Sequence, residues 1–274
     1  MNQKLPSYLT IEKVVGETPL VALERLRTQA NISKDVPLAY AGRLDPMASG
    51  KLLILIGNTC KVQEQYHSLD KEYEFEIVLD VRSDTSDVLG IITADRKSEA
   101  LNEDTIREIA HSLQGDITLP YPHYSSKTVR GKPLHTWALE GRLSEIEIPT
   151  KESTIHTLTY LGSKTLTASE LHRTVKEKIE SIPPVTDERK ALGADFRRSD
   201  VRAGWKSLYE KNSNTEFHVL RFRCIASSGT YMRSLAEVIG EKLSTSALAY
   251  SIHRTKIGKY FPIIGSFGLW TKLF

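Results

Sequence analysis

One aspartate lies in a short segment suited to holding a reactive group still. Asp45 is followed by Pro46, and Gly42 and Gly50 bracket the turn. Proline fixes its own φ and biases the preceding residue away from the helical region, so we expect Asp45 on a stiff, extended turn. A carboxylate on such a turn presents one reactive group in a fixed position. Asp and Pro are also ordinary turn residues, so these residues alone leave open a turn with no chemical role.

Three patterns in the chain would position this turn. The segment from Leu52 to Ile56 is continuously apolar, which is typical of a strand buried on both faces. Residues 71–77 alternate acidic and apolar side chains, which predicts a half-buried strand with Tyr73 on its apolar face. Residues 218–225 predict another strand, and a helix with one buried side follows from Met232. We expect the Asp45 turn to lead into the first of these strands.

The composition limits the class of protein. The 274 residues are 40% hydrophobic and 26% charged, which is ordinary for a soluble globular protein of one large domain or two modest ones. Two cysteines give neither a disulfide framework nor metal-ligand spacing, and we expect a cytoplasmic protein without a membrane span. Leu52 follows the Gly50-Lys51 pair where a phosphate-binding loop needs Ser or Thr, which excludes that loop. The net charge of +3 does not by itself indicate nucleic acid, so clustering of charge must carry that argument.

Positive charge is clustered in two stretches. Residues 120–142 combine a proline-rich start with basic and aromatic side chains, which suits phosphates and splayed bases of RNA, although a solvated loop and helix has the same composition. Its relevant members are Tyr124, Lys127, Arg130, Lys132 and Trp137. Residues 163–216 predict two helices, the first with a capping box at Thr167, joined by a basic stretch. The second stretch either extends an RNA surface or is a charged face around a local helical hairpin.

Together these motifs resemble the TruB family of RNA pseudouridine synthases. The matching residues are Gly42, Leu44, Asp45, Pro46, Ala48, Gly50, Leu52, Gly57, Lys61, Lys71, Tyr73, the run from Ser228 to Arg233, and Ile252 to Thr255 with Gly258. The family usually has histidine where this chain has Tyr40. The resemblance covers most of the chain apart from residues 163–216.

The resemblance implies a fold. We expect one pseudouridine synthase domain over residues 1–274, of mixed α/β class, with a largely antiparallel central sheet flanked by helices. Residues 120–142 would form an RNA-clasping segment, and residues 163–216 a basic helical insertion. The chain leaves no room for the C-terminal PUA domain that many members of the family carry.

The resemblance also implies a role for individual residues. Asp45 would be the nucleophile, and Arg233 would hold it in a two-pronged contact that favours the ionised carboxylate. Tyr73 would stack on the flipped base and is a candidate acid or base, while Tyr231 and Ile252 would close the pocket. Contacts to the RNA are expected at Lys61, Tyr40, Tyr124 and Lys132, and the clustered positive charge adds Lys127 and Arg130. The alternative for Arg233 is an exposed side chain on a helix start capped by Ser228 or Thr230.

The implied activity is conversion of uridine to pseudouridine, at uridine 55 in the T loop of tRNA, after the base is flipped from its stack. No metal or small-molecule cofactor is expected, and the protein is expected to be a monomer. One alternative is a non-catalytic RNA-binding or tRNA-folding protein on the same scaffold, and another is a synthase acting on a different RNA. An enzyme is favoured over a non-catalytic binder by the presence of Asp45, Tyr73, Tyr231 and Arg233. A protein that only binds RNA has no need of a nucleophile paired with an arginine.

Overall fold

The computed structural model describes residues 5–95, 102–185, 195–264 and 267–274. The strands in these ranges are β1 (Tyr8–Lys13), β2 (Leu38–Ala41), β3 (Ala48–Ile56), β4 (Asp70–Leu79), β5 (Val81–Ser83), β6 (Ile92–Asp95), β7 (Gly115–Pro120), β8 (Thr128–Val129), β9 (Lys132–Pro133), β10 (Thr150–Thr167), β11 (Glu216–Ala226), β12 (Ala247–Ile264) and β13 (Phe267–Leu273). The helices are α1 (Pro19–Gln29), α2 (Glu103–Ser112), α3 (Leu134–Leu139), α4 (Ala168–Ser181), α5 (Arg198–Lys211) and α6 (Met232–Lys242), and a 3-10 segment covers Gly57–Tyr66.

Nine strands form one sheet in the order β1-β3-β12-β4-β11-β10-β7, with β2 paired to β3 and β13 paired to β12. All of these pairs are antiparallel except the parallel pair of β3 and β12. Helices pack around the sheet, with α6 against β12 and α2 against β10. The predicted mixed α/β fold with a largely antiparallel sheet is therefore confirmed. In the ranges given above, no helix is long and apolar enough to cross a membrane.

The sheet is buried where the sequence pattern predicted it. Residues 52–56 of β3 are at most 4% exposed, as expected for a strand covered on both faces. Phe75 and Ile77 of β4 are in the main core, where Phe75 stacks on Phe222 of β11 with ring centroids 5.5 Å apart. Tyr73 packs against the edge of this core. The strands that carry the Asp45 turn and Tyr73 are thus rigidly supported.

Residues 163–216 contain a helical hairpin packed on the core. The stretch begins with the end of β10, and Thr167 caps α4 reciprocally with Glu170, as predicted. Val175 of α4 and Trp205 of α5 are buried, and the indole nitrogen of Trp205 donates a hydrogen bond to the Val88 carbonyl oxygen at 3.0 Å. The hairpin therefore contacts the body of the protein directly. The basic residues at positions 189 and 190 lie outside the described residues.

A glycine permits the close approach of β12 to β3. Gly50 has a φ of +107°, and a Cβ added there would lie 2.5 Å from the backbone nitrogen of Arg254. We expect Gly50→Ala to lower the free energy of unfolding by at least about 2 kcal/mol, through both backbone strain and this clash. Thermal unfolding would measure the change. Gly57→Ala is the matched control, because Gly57 also has a positive φ of +64° and no neighbouring atom within 4 Å. Equal loss in both variants would contradict the clash.

Candidate active site

The Asp45 turn joins β2 to β3 and is held from behind by a buried arginine. Arg254 of β12 is 1% exposed and donates hydrogen bonds to the carbonyl oxygens of Lys51 at 2.7 Å, Gly42 at 3.2 Å and Arg43 at 3.3 Å. These bonds occupy the guanidinium and fix the backbone on both sides of the turn. The Asp45 side chain remains 37% exposed. It therefore faces outward from a backbone that cannot easily move.

A second buried cation supports the same turn. Lys13 of β1 is fully buried and donates to the carbonyl oxygen of Ala48 at 2.6 Å. Burial lowers the pKa of Lys13 to about 8, against the opposing attraction of Glu17 and Asp45. The backbone amide of Gly16 donates a hydrogen bond to the Pro46 carbonyl oxygen at 2.9 Å. This bond ties the Asp45 turn to the segment that follows β1. The stiff turn expected from the sequence is thus reinforced by contacts from β1 and β12.

Arg233 lies beside Asp45, but the contact differs from the expected one. Its Nε is 2.8 Å from Oδ2 of Asp45, while Nη1 donates to the Thr85 carbonyl oxygen at 2.9 Å and Nη2 to that of Tyr124 at 3.4 Å. The predicted two-pronged contact is wrong, because backbone carbonyls take the other nitrogens. Nε is 2.8 Å away yet makes no aligned hydrogen bond, so the contact is an ion pair.

The alternative reading of Arg233 as an exposed side chain is also wrong. Arg233 is 3% exposed, in the first turn of α6. Tyr231 is the N-cap of α6 and makes no side-chain capping bond, whereas Thr230 donates to the Ser227 carbonyl oxygen. The helix start is therefore not capped by Ser228 or Thr230 in the way that the alternative required.

A second carboxylate holds the same arginine. Asp87 is 4% exposed, and its Oδ2 lies 3.8 Å from Nε of Arg233. Its Oδ1 accepts hydrogen bonds from the Thr85 hydroxyl at 2.6 Å and the Leu89 amide at 2.9 Å. Burial raises the pKa of Asp87, and the Arg233 charge opposes that shift. Burial disfavours the charged form of Arg233, yet Asp45 and Asp87 together hold the pKa of Arg233 above its usual value.

Sequence reasoning missed this role of Asp87. The available signal was the polar segment of residues 84–87, which begins and ends with aspartate and follows the strand carrying Tyr73. Arg43, which precedes the Leu-Asp-Pro motif, was also missed. It is exposed and donates to the Ser126 hydroxyl at 2.8 Å, so it places positive charge beside Asp45.

The structure brings the predicted aromatic and apolar residues to the strands around Asp45. In the sheet Tyr73 pairs with Arg254 and Cys224, and Ile252 pairs with Ala48 and Phe75. Tyr231 packs edge-on against Tyr121, with ring centroids 5.6 Å apart.

Burial raises the pKa of both Tyr73 and Tyr231, and the Asp45 charge adds to the shift of each. Both phenols therefore stay protonated at neutral pH. They are suited to stacking and hydrogen-bond donation rather than to removing a proton.

A cavity of about 590 Å³ opens beside Asp45. Its polar side is formed by Asp45, Arg43, Thr85, Asp87 and Arg233, and the cavity is also lined by the clasping segment and the inserted hairpin. Ser125, which is 6% exposed, lines it with a hydroxyl that has no hydrogen-bond partner among the described residues. Burying a hydroxyl without a hydrogen-bond partner costs free energy of folding unless a ligand or a water molecule supplies the partner. Tyr73, Tyr231 and Ile252 do not line this cavity.

The predicted RNA-contact residues are in different places. Tyr124 lines the cavity beside Asp45. Tyr40 lines a second cavity of about 560 Å³, which also contains Arg43 and His67. Lys61 is exposed on the 3-10 segment and lines neither cavity.

In the clasping segment, charge is distributed unevenly. Lys127 and Arg130 are exposed, whereas Nζ of Lys132 pairs with Glu140 at 2.7 Å. Lys132 also lies 4.5 Å from the ring centroid of Trp137, which is buried at 7% exposure rather than free to stack on a base. Phosphate contact from this segment thus depends mainly on Lys127 and Arg130. Across the described ranges, no group of three or more His, Cys, Asp or Glu side chains is placed to hold a metal ion.

Comparison with known proteins gives a consistent set of matches. The family described as "TruB family pseudouridylate synthase (N terminal domain)" matches residues 31–179. The chain is similar to tRNA pseudouridine synthase B of Caldicellulosiruptor saccharolyticus, with 28% identity over 95% of this chain and 70% of the relative. Similarity to tRNA pseudouridine synthase B of Aromatoleum aromaticum is 27%, over 92% of this chain and 63% of the relative. The chain therefore spans about two thirds of the length of these relatives.

A solved structure shares the fold. The crystal structure of a Cbf5-Nop10-Gar1 complex matches with a TM-score of 0.53 and 16% identity, over 92% of this chain and 48% of that one. The overall arrangement of sheet and helices is thus one already seen in another protein.

Proposed function

The chain belongs to the TruB family of pseudouridylate synthases, and from that premise we propose that it is an enzyme that converts uridine to pseudouridine in tRNA. The family expected from the sequence motifs is confirmed. The names of the similar relatives support tRNA as the substrate. We further propose that the target is uridine 55 in the T loop, and that the protein acts as a cytoplasmic monomer.

The observation that carries the proposal is the ion pair of Asp45 with buried Arg233. Pseudouridine formation breaks the bond from uracil N1 to ribose C1′, turns the base, and joins C5 to C1′. The base loses the proton on C5 and gains one on N1, so the reaction is an isomerisation that needs no oxidant or reductant. It does need one oriented oxygen nucleophile, and the Asp45 carboxylate supplies it.

The arrangement around Asp45 supports this role. Arg233 lies 2.8 Å from one carboxylate oxygen, and the other side of Asp45 remains partly exposed to substrate. The target base must first leave its stack, at a cost of about a few kcal/mol. Stacking on Tyr73 would return about 1–3 kcal/mol. Tyr231 and Ile252 would then exclude water from the base.

Tritium release tests the proposed activity. Transfer RNA labelled with tritium at uridine C5 loses the label when C5 bonds to C1′. We therefore expect one equivalent of tritium to be released per modified site. Comparing RNA with uridine or cytidine at position 55 separates the proposed target from other uridines. Tight binding of tRNA with no release would instead indicate the non-catalytic RNA-binding protein.

The clasping segment gives a second test. We expect Lys127→Gln and Arg130→Gln each to weaken RNA binding and to reduce the slope of log K against log salt by about 0.7, because each removes one phosphate contact. Lys132→Gln should change the slope less, because Glu140 already neutralises that charge. Lys242→Gln, in the last turn of α6 opposite Arg233, is the control. Equal slopes in all four variants would assign RNA binding to another surface.

A further inference from the structure

The inserted helical hairpin reaches the cavity beside Asp45. Ile179 and Ile182 at the end of α4 and Val201 of α5 line that cavity together with Phe196. The residues expected to hold the target base do not line it, although Asp45 does. A volume of about 590 Å³ is within the range of ligand sites. The cavity thus has room for a part of the substrate other than the target base.

Phe196 is held in an unfavourable backbone conformation at this cavity. Asp195, Phe196 and Arg197 have φ values of 40°, 54° and 57°, in the left-handed region. Three such residues in a row are costly for side chains with a Cβ, and they persist only where surrounding contacts impose them. Phe196 is nevertheless 50% exposed. The strained backbone therefore carries an aromatic ring that is half exposed at the cavity.

Two ion pairs anchor the residues that have this conformation. Arg197 pairs with Asp84, in the loop that carries Asp87, and lies 4.3 Å from the ring centroid of Tyr124. Nε of Arg198 is 2.8 Å from Asp195. Burial, together with the nearby Asp84, raises the pKa of Tyr124 to about 12, so its hydroxyl stays neutral. Residues 195–197 are thus connected through Asp84 to the loop that carries Asp87, and through Tyr124 to the clasping segment.

These pairs also decide which ligand the insertion can recognise. The two arginines beside Phe196 are already neutralised by carboxylates, and Arg202 of α5 pairs with Glu180 of α4. The sequence left two alternatives for the insertion, an extension of the RNA surface or a charged face around a helical hairpin. Because these charges are paired, the described residues favour the second. Apart from these paired charges, the insertion lines the cavity with apolar and aromatic side chains. That surface suits the flat face of a nucleobase, since every base stacks on an aromatic ring.

We propose that Phe196 stacks on a second unpaired nucleobase of the substrate RNA, next to the target uridine, and that the Arg197–Asp84 ion pair positions the ring. The inference rests on the proposed function, because it takes RNA as the substrate. It makes the inserted hairpin a specificity element of the active site. Asp45 acts on one base while Phe196 holds its neighbour.

Binding of a labelled T-arm stem–loop RNA, measured by fluorescence anisotropy, tests the proposal without requiring turnover. We expect Phe196→Ala to raise Kd about 10-fold and Phe196→Trp to keep it near the wild-type value, because the ring face is what binds. Phe261→Ala is the matched control, since Phe261 is 63% exposed and lines neither cavity. Thermal unfolding of each variant shows whether the fold is intact.

Abasic substitution identifies the base. Unpaired loop nucleotides other than the target are replaced one at a time by abasic ones, which keeps the phosphates. We expect one substitution to weaken binding about 10-fold in the wild-type protein and to have no further effect in Phe196→Ala. The same abasic profile in both proteins would overturn the inference, while tritium release would still support the proposed function. Absence of RNA binding by the wild-type protein would overturn both.

The positioning role of Arg197 has its own readout. If Arg197 acts only through Phe196, Arg197→Ala should raise Kd, and the Phe196→Ala and Arg197→Ala double variant should bind no more weakly than Phe196→Ala. Additive losses in the double variant would show that Arg197 contacts RNA independently, and would overturn its assignment as a positioning residue.

Discussion

Asp45→Asn is expected to abolish pseudouridine formation while leaving RNA binding within a few-fold of wild type. The amide has nearly the shape of the carboxylate but is not a competent oxygen nucleophile, so kcat should fall on the order of 10⁴-fold or more. Tritium release from tRNA labelled at uridine C5 measures turnover, and anisotropy measures binding. The turn should stay folded, because its bonds to Arg254 and Lys13 use backbone carbonyls and not the Asp45 side chain.

The control for this change is Asp104→Asn. Asp104 is an exposed aspartate in the first turn of α2 and lines neither cavity. It should leave kcat unchanged, which shows that loss of one carboxylate elsewhere is harmless. Substantial tritium release by homogeneous Asp45→Asn protein would remove Asp45 as the nucleophile.

Replacement of Arg233 is expected to damage both turnover and stability. In Arg233→Met, Asp45 and the buried Asp87 lose their shared cation, and breaking such a buried pair costs about 3–5 kcal/mol. We expect a melting temperature lower on the order of 10 °C. Arg233→Lys keeps a charge but cannot reach Asp45 and the Thr85 and Tyr124 carbonyl oxygens together, so kcat should fall about 100-fold through misplacement of the carboxylate.

A double variant separates the two effects of Arg233. Adding Asp87→Asn to Arg233→Met removes the buried carboxylate that has lost its cation, so we expect part of the lost stability to return. Turnover should not return, because Asp45 remains without its cation. A kcat near the wild-type value in Arg233→Lys would contradict the role assigned to the guanidinium.

Local patterns were sufficient to predict the strands β3, β4 and β11, the helices α4, α5 and α6, and the Asp45 turn. The apolar run of β3 and the capping box of α4 are each properties of adjacent residues, and both are as expected. The motif around Asp45 and that around Arg233 were joined by resemblance to a family, and the structure places the two side chains in contact.

Tertiary partners could not be read from those patterns. The sharing of Arg233 with Asp87, the pairing of Lys132 with Glu140 and the burial of Trp137 depend on which segments meet in space. Counting basic residues along the sequence therefore overestimated how many unpaired cations the clasping segment and the insertion present. Phe196 gave no signal, since an isolated phenylalanine in a sequence is ordinarily a core residue.

The parallel pairing of β3 with β12 has a consequence for the order in which the protein folds during synthesis. Its partner residues, such as Ala48 and Ile252, are separated by roughly 200 positions in the chain, so this ladder forms only by closing a very long loop. Contacts of such high sequence separation are made late and slowly. During synthesis the aspartate turn emerges from the ribosome well before the strand that braces it. The Asp45 turn is thus fully braced only when β12 has docked and Arg254 has bonded to the carbonyl oxygens of the turn.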